Sequence, residues 1–152
     1  MSEIRIQDEW LDTRYGFPIR LFNVPMVKVR GVWTPKIDYA KLTLRVLREL
    51  VEKASPLTGH ELRFIRQSLE MTQTAFAERF SVTHPAVVKW EQKGEQPTRM
   101  SWSTEKDIRL AVCEHASATE FQALYRQLQT RPDATPATEL RITLDQPQAT
   151  SV

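Results

Sequence analysis

The chain has 152 residues, 41% of them hydrophobic and 26% charged, with a formal net charge of +2. That length suits one domain plus an appendage, that composition supports a folded core, and no apolar run approaches the ~18 residues of a membrane span. The charged opening, Met1 to Trp10, lacks the apolar stretch of a secretory signal, so a cytoplasmic protein is expected. One cysteine, Cys113, excludes an intrachain disulfide and a cysteine zinc cluster, and His60, His84 and His115 are scattered without metal-ligand spacing, so neither metal nor cofactor is expected.

A charge of +2 says little until its distribution is read. Residues 1–56 carry 10 basic against 7 acidic side chains, residues 57–116 carry 8 against 8, and residues 117–152 carry 3 against 4. The basic excess lies in Arg14, Arg20, Lys28, Arg30, Lys36 and Lys41, faced only by Asp38.

Residues 17–33 are rich in β-branched and aromatic types and predict a hairpin or short meander, with the prolines on edges or at strand starts. Asp38 is placed to cap a helix from Tyr39 to about Ala54, with Leu42, Val46, Leu47, Leu50 and Val51 at three- and four-residue intervals; Ser55-Pro56 ends it. Thr58-Gly59-His60-Glu61 is a capping box opening a helix to about Glu70. Two short helices follow, Gln73 to Phe80 and His84 to Lys93, the second stopped by Gly94. A helix from Glu105 to about His115 offers Ile108, Leu110, Ala111 and Val112 for burial. Ser117-Ala118-Thr119-Glu120 is a second capping box, ahead of Phe121, Leu124, Tyr125 and Leu128. Beyond Thr130 the prolines predict a tail, with strand-like alternation only over Glu139 to Asp145. The organisation expected is therefore an N-terminal β-hairpin/helix module over 1–56, a helix-turn-helix domain over 57–130 and a tail over 131–152.

The stretch Met71 to Glu91 carries the functional signal. Two helices joined by so short a turn accept only a small side chain where they touch, and Ala77 supplies it. Phe76, Phe80, Val87 and Trp90 can fill the angle, and Val82 can plug the turn, which is the pattern of a helix-turn-helix. Thr83 caps the second helix and leaves His84, Pro85 and Lys89 on the outer side, where a recognition helix meets base edges in a major groove.

These residues resemble a family. Thr72-Gln73, then Thr83, then Trp90-Glu91 is similar to the XRE (Cro-like) helix-turn-helix family, and Leu57 to Arg66 resembles the approach to that motif in MqsA- and HigA-type antitoxin-repressors. The resemblance spans about residues 57–116. It implies a mainly α chain: a lambda-repressor-like five-helix domain with the small N-terminal hairpin-plus-helix module attached. Two departures stand out. Ser81 occupies the turn position where the family usually has glycine, at a modest cost if its φ is positive. No cysteine-bound zinc module precedes the domain, so an N-terminal partner-binding module has to be held by packing around Phe17, Phe22 and Trp33.

Carried onto this chain, the resemblance assigns Gln73 to a phosphate contact and His84 and Lys89 to base edges. Lys89 suits guanine acceptors, and His84 either donates to an acceptor or braces Gln73. Pro85 packs on a thymine methyl or preorganises the helix start. Lys93, Thr98 and Arg99 in the following loop are candidate phosphate contacts. The family also pairs an arginine of the preceding helix with the glutamate after the tryptophan, which here means a largely buried Arg66–Glu91 structural pair. No nucleophile elbow, Gly-rich phosphate loop or paired-carboxylate motif points to an enzyme.

The function expected is a sequence-specific, homodimeric transcriptional repressor on a double-stranded DNA operator. Its finer form is the autoregulating antitoxin of a toxin-antitoxin system with a toxin protein as partner. A stand-alone XRE-type regulator and a non-DNA adaptor are the alternatives.

Overall fold

The computed structural model describes residues 3–117, 121–135 and 139–144. In chain order they form β1 (Ile4–Asp12), β2 (Ile19–Val29), β3 (Val32–Pro35), α1 (Tyr39–Glu52), α2 (Gly59–Ser68), α3 (Gln73–Arg79), α4 (His84–Glu91), α5 (Trp102–Ser117), α6 (Phe121–Gln127) and β4 (Leu140–Thr143). The expected fold class is overturned: six helices accompany a four-stranded mixed sheet, not a mainly α, five-helix lambda-repressor-like domain with a small hairpin module. Two causes stand out. The charged leader is a nine-residue strand, and residues near the C-terminus return to the sheet.

By its contacts the chain divides into two units, Met1–Thr43 with Thr138–Val152, and Leu44–Ala137. The division falls inside α1, whereas the sequence placed a module boundary after Pro56. Of the described residues beyond Thr130, residues 131–135 fall in the second unit and residues 139–144 in the first.

In the first unit β2 is the spine. It pairs antiparallel with β1 from Ile4↔Val27 to Asp12↔Ile19. On its other edge it pairs antiparallel with β3, from Met26↔Pro35 to Val29↔Val32, and parallel with β4, from Ile19↔Leu140 to Phe22↔Thr143. Ile19 and Leu21 are buried and so are Val24 and Met26, so the two-residue alternation slips by one at Asn23. Asn23 has φ 58, a left-handed conformation that asparagine tolerates better than most side chains. Pro25 lies inside β2, contrary to the expected placement at edges and strand starts. It is accommodated because the missing donor faces the gap between β4 and β3: the Pro25 carbonyl on that side accepts from Lys36 N at 2.7 Å. Phe17 is buried, whereas Phe22 and Trp33 are only half-buried. Arg20 holds Glu139 through two hydrogen bonds, Nε to Oε2 at 3.1 Å and Nη2 to Oε1 at 3.3 Å, beside β4.

The expected cap of α1 is present and belongs to the first unit: Asp38 Oδ1 accepts from the Ala40 and Lys41 amides. Val46, Leu47, Leu50 and Val51 are buried. Arg109 of α5 is wholly buried and donates to the carbonyls of Val51, Lys53 and Ser55 at 3.2, 2.7 and 2.6 Å, taking up backbone acceptors that the end of α1 leaves open. Its Nε and Nη2 donate to Glu105 Oε2, which also accepts from the Leu57 amide. Burial pushes the Arg109 guanidinium down from its usual range, and Glu105 acts in the opposite sense. The first turn of α5 is reached from Ser101, whose Oγ accepts from Thr104 N, so the helix starts three residues before the expected Glu105. Ile108, Val112 and Cys113 are buried; Leu110 and Ala111 are only half-buried. Leu124 of α6 and Leu128 just past its end are buried but Tyr125 is exposed, and the second capping box lies partly outside the described residues.

The start of α2 is closely built. Thr58 and Glu61 form the reciprocal capping box, and the loop after α4 supplies acceptors for two further amides, Gln96 O for Gly59 N and Gly94 O for His60 N. A Cβ at Gly59 would lie 2.6 Å from Gly94 N and Trp90 O and 2.8 Å from Glu91 O. Gly59→Ala is therefore expected to lower unfolding free energy by roughly 1–3 kcal/mol, as overpacking typically does; a urea midpoint equal to wild type would show that the backbone yields without cost. A second expectation concerns pH. The Arg20 hydrogen bonds hold the Glu139 carboxyl below its ordinary value. Its contribution is thus complete above the ordinary carboxylate range and is lost as pH falls through the lowered folded value. Acid titration of Glu139→Gln should show a shallower fall in stability than wild type, and superimposable acid limbs would remove this claim.

Candidate functional site

The site is built on α3, α4 and the residues between them, Phe80 to Thr83. Thr72 Oγ1 accepts from Ala75 N at 3.0 Å and Thr83 Oγ1 from Ala86 N at 3.2 Å, so each short helix carries its own N-cap. The chain turns because Ser81 adopts φ 57 and Val82 N donates back to Ala77 O at 2.9 Å. The left-handed serine costs more than glycine would. Phe76, Ala77, Phe80 and Val87 are buried, and the Phe76 and Phe80 rings meet at 4.7 Å between centroids. Val82 and Trp90 are half-buried rather than fully enclosed, so the indole is a flank of the core and not its centre.

Behind α4 runs a chain of hydrogen bonds. Arg66 on α2 donates to Glu91 through Nε at 2.6 Å and Nη2 at 3.1 Å, and its Nη1 donates to Met71 O at 2.9 Å. The pair is largely withdrawn from water, with side chains 12% and 7% exposed. Gln73 Nε2 donates to Glu91 Oε1 at 3.2 Å, and Gln73 Oε1 lies 3.4 Å from His84 Nε2. Gln73 is therefore engaged at both ends of its amide, and one N–H is left for the phosphate contact expected of it. Sequence reasoning paired Arg66 with Glu91 and His84 with Gln73, but not Gln73 with Glu91.

Thr83, His84, Pro85 and Lys89 are exposed on α4 and its cap. The first turn of α4 carries no acidic residue, and Lys89 lies in its last turn. In the loop after α4, Arg99 is exposed with φ 62 and Lys93 is half-buried. Thr98 does not fit its expected role. It is 2% exposed, its amide donates to Leu57 O, and its Oγ1 accepts from Met100 N, so the hydroxyl turns inward to hold the loop. Arg109, the most buried charge of the second unit, was not singled out from sequence. The signal was there in Glu105 and Arg109, four apart on a helix whose neighbours Ile108 and Val112 face inward.

Among the described residues no helix is long and apolar enough to cross a membrane, and no group of three or more His, Cys, Asp or Glu is placed to hold a metal ion. No protein-family model, curated protein or solved structure matches this chain.

The buried pair yields a stability prediction. Arg66→Ala strands the Glu91 carboxylate and should cost roughly 3–5 kcal/mol. Arg63→Ala, at an exposed position of the same helix, should stay within about 0.5 kcal/mol. Similar melting temperatures for the two variants would remove the buried-pair claim.

Proposed function

We propose that the protein is a sequence-specific DNA-binding repressor of the helix-turn-helix class, resembling XRE-type regulators, that acts as a homodimer on a two-fold operator. The observation that carries this reading is the exposure of His84, Pro85 and Lys89 on a capped helix whose reverse side is anchored by Val87 and by the Arg66–Glu91 pair. A helix so held presents its outer side chains with little freedom left to lose, which is what base readout in a major groove requires. Lys89 donates to guanine O6 and N7. Lys93 and Arg99 contact phosphates and fix register. Repression follows from occupancy, and half-sites about one helical turn apart match a two-fold dimer. An antitoxin role is the finer form of the same proposal; it rests on the likeness of Leu57 to Arg66 to antitoxin-repressors, and a co-purifying toxin protein is its test.

Selection of duplexes from a random pool, followed by gel shifts at two salt concentrations, tests the proposal. Lys89→Ala should relax preference at one operator position by ~1–3 kcal/mol. Lys93→Ala should weaken all duplexes alike and reduce the salt slope by about one. Retention of no duplex at low salt would defeat the proposal, and uniform loss for Lys89→Ala would defeat the assignment of that lysine.

A further inference from the structure

We infer that His84 reads an exocyclic amine, adenine N6 or cytosine N4, because the hydrogen bonds running from Arg66 through Glu91 and Gln73 leave its Nδ1 as a bare acceptor. This rests on the DNA-binding reading and names what one of its side chains recognises. The argument is one of polarity. A guanidinium only donates, and two of its nitrogens reach Glu91, so the carboxylate is an acceptor on both oxygens. Gln73 has to turn its NH2 towards Glu91 Oε1, since the reversed amide would set two acceptors against each other at 3.2 Å. Its carbonyl oxygen then faces His84 Nε2 at 3.4 Å. A carbonyl can only accept, so Nε2 supplies the proton. A neutral imidazole has one N–H, and Nδ1 is left without. Pro85, next along the chain, has no backbone N–H to offer it.

The surface that α4 presents is thus of mixed sign: Lys89 donates and His84 accepts. In the major groove acceptors of purines and keto bases suit the lysine, whereas the amino groups of adenine and cytosine suit the imidazole. Gln73 is a positioning residue here. It acts through His84, so its loss is expected to remove selectivity at a single position.

The test uses the full chain at about pH 8 and duplexes selected from a random pool. Every Watson–Crick pair presents one such amine in the major groove, so the position whose preference vanishes in His84→Ala is located first and its amine is then removed. Replacing the amine-bearing base of that pair by an analogue without the amine (purine for adenine, 2-pyrimidinone for cytosine) should weaken wild-type binding about tenfold and leave His84→Ala unmoved. Gln73→Met should flatten the same position and spare the one set by Lys89. Nitrogen-15 spectra of the free protein should show Nδ1 as the unprotonated ring nitrogen. Analogue substitution without effect, an equal effect on His84→Ala, or Nε2 as the bare nitrogen would each overturn the inference while leaving DNA binding intact. If no duplex is retained, the DNA-binding reading falls and takes the base assignment with it, whatever the spectra show.

Discussion

A carboxylate at the C-terminal end of a helix meets the negative end of the helix dipole, and Glu91 is the last residue of α4. Taken largely out of water as well, its charge has to be met at close range. Arg66, from the last turn of α2, meets it with two parallel hydrogen bonds and spends a third nitrogen on the Met71 carbonyl. That single demand sets the spacing of α2 and α4, brings Gln73 of α3 alongside, and through Gln73 orients the ring at the start of α4. An ion pair of this kind adds little net stability over a well-packed apolar contact, because desolvation offsets most of the attraction. What it supplies is position: the outer face of α4 inherits the geometry of a charge buried behind it.

A second guanidinium does comparable work at the other end of the unit. Arg109 reaches the carbonyl of Val51 in the last turn of α1, those of Lys53 and Ser55 beyond it, and one carboxylate on its own helix, so the segment from Lys53 to Leu57 is held without regular structure of its own. Lys53 and Glu61, 2.6 Å apart, tie the same segment to the first turn of α2. Gly59 then lets that turn approach the end of α4 more closely than any side chain would permit. The two arginines, the capping box and the glycine form one continuous scaffold beneath the candidate site.

Much of this was legible in the residues. Caps and local periodicity act over a few positions, so Asp38, Thr58 and Thr83 placed the starts of α1, α2 and α4, and the missing glycine marked Ser81 as the position where a positive φ would carry a cost. The exposure of His84, Pro85 and Lys89 was legible for the same reason, following from their offset from Thr83. What escaped depends on partners far along the chain. β1 reads as a charged leader because only pairing with β2 makes it a strand; the alternation over Glu139 to Asp145 marked the place of β4 but not its partner, which lies more than a hundred positions earlier. Those two strands account for the difference between a mainly α fold and a mixed one. Thr98 was read as a phosphate ligand because composition cannot tell a loop hydroxyl that points outward from one that turns in to hold its own backbone.

The helical unit is an insertion within the sheet unit: β1 to β3 precede it and β4 follows. During synthesis on the ribosome, the helical segment is complete in the nascent chain while the sheet still waits for its last strand. The edge of β2 from Ile19 to Phe22, with Arg20 at its rim, stays open until β4 has emerged. An open edge of this sort is a template for other strands, so the interval before β4 docks is the period in which the nascent chain is most exposed to association with its neighbours on a polysome.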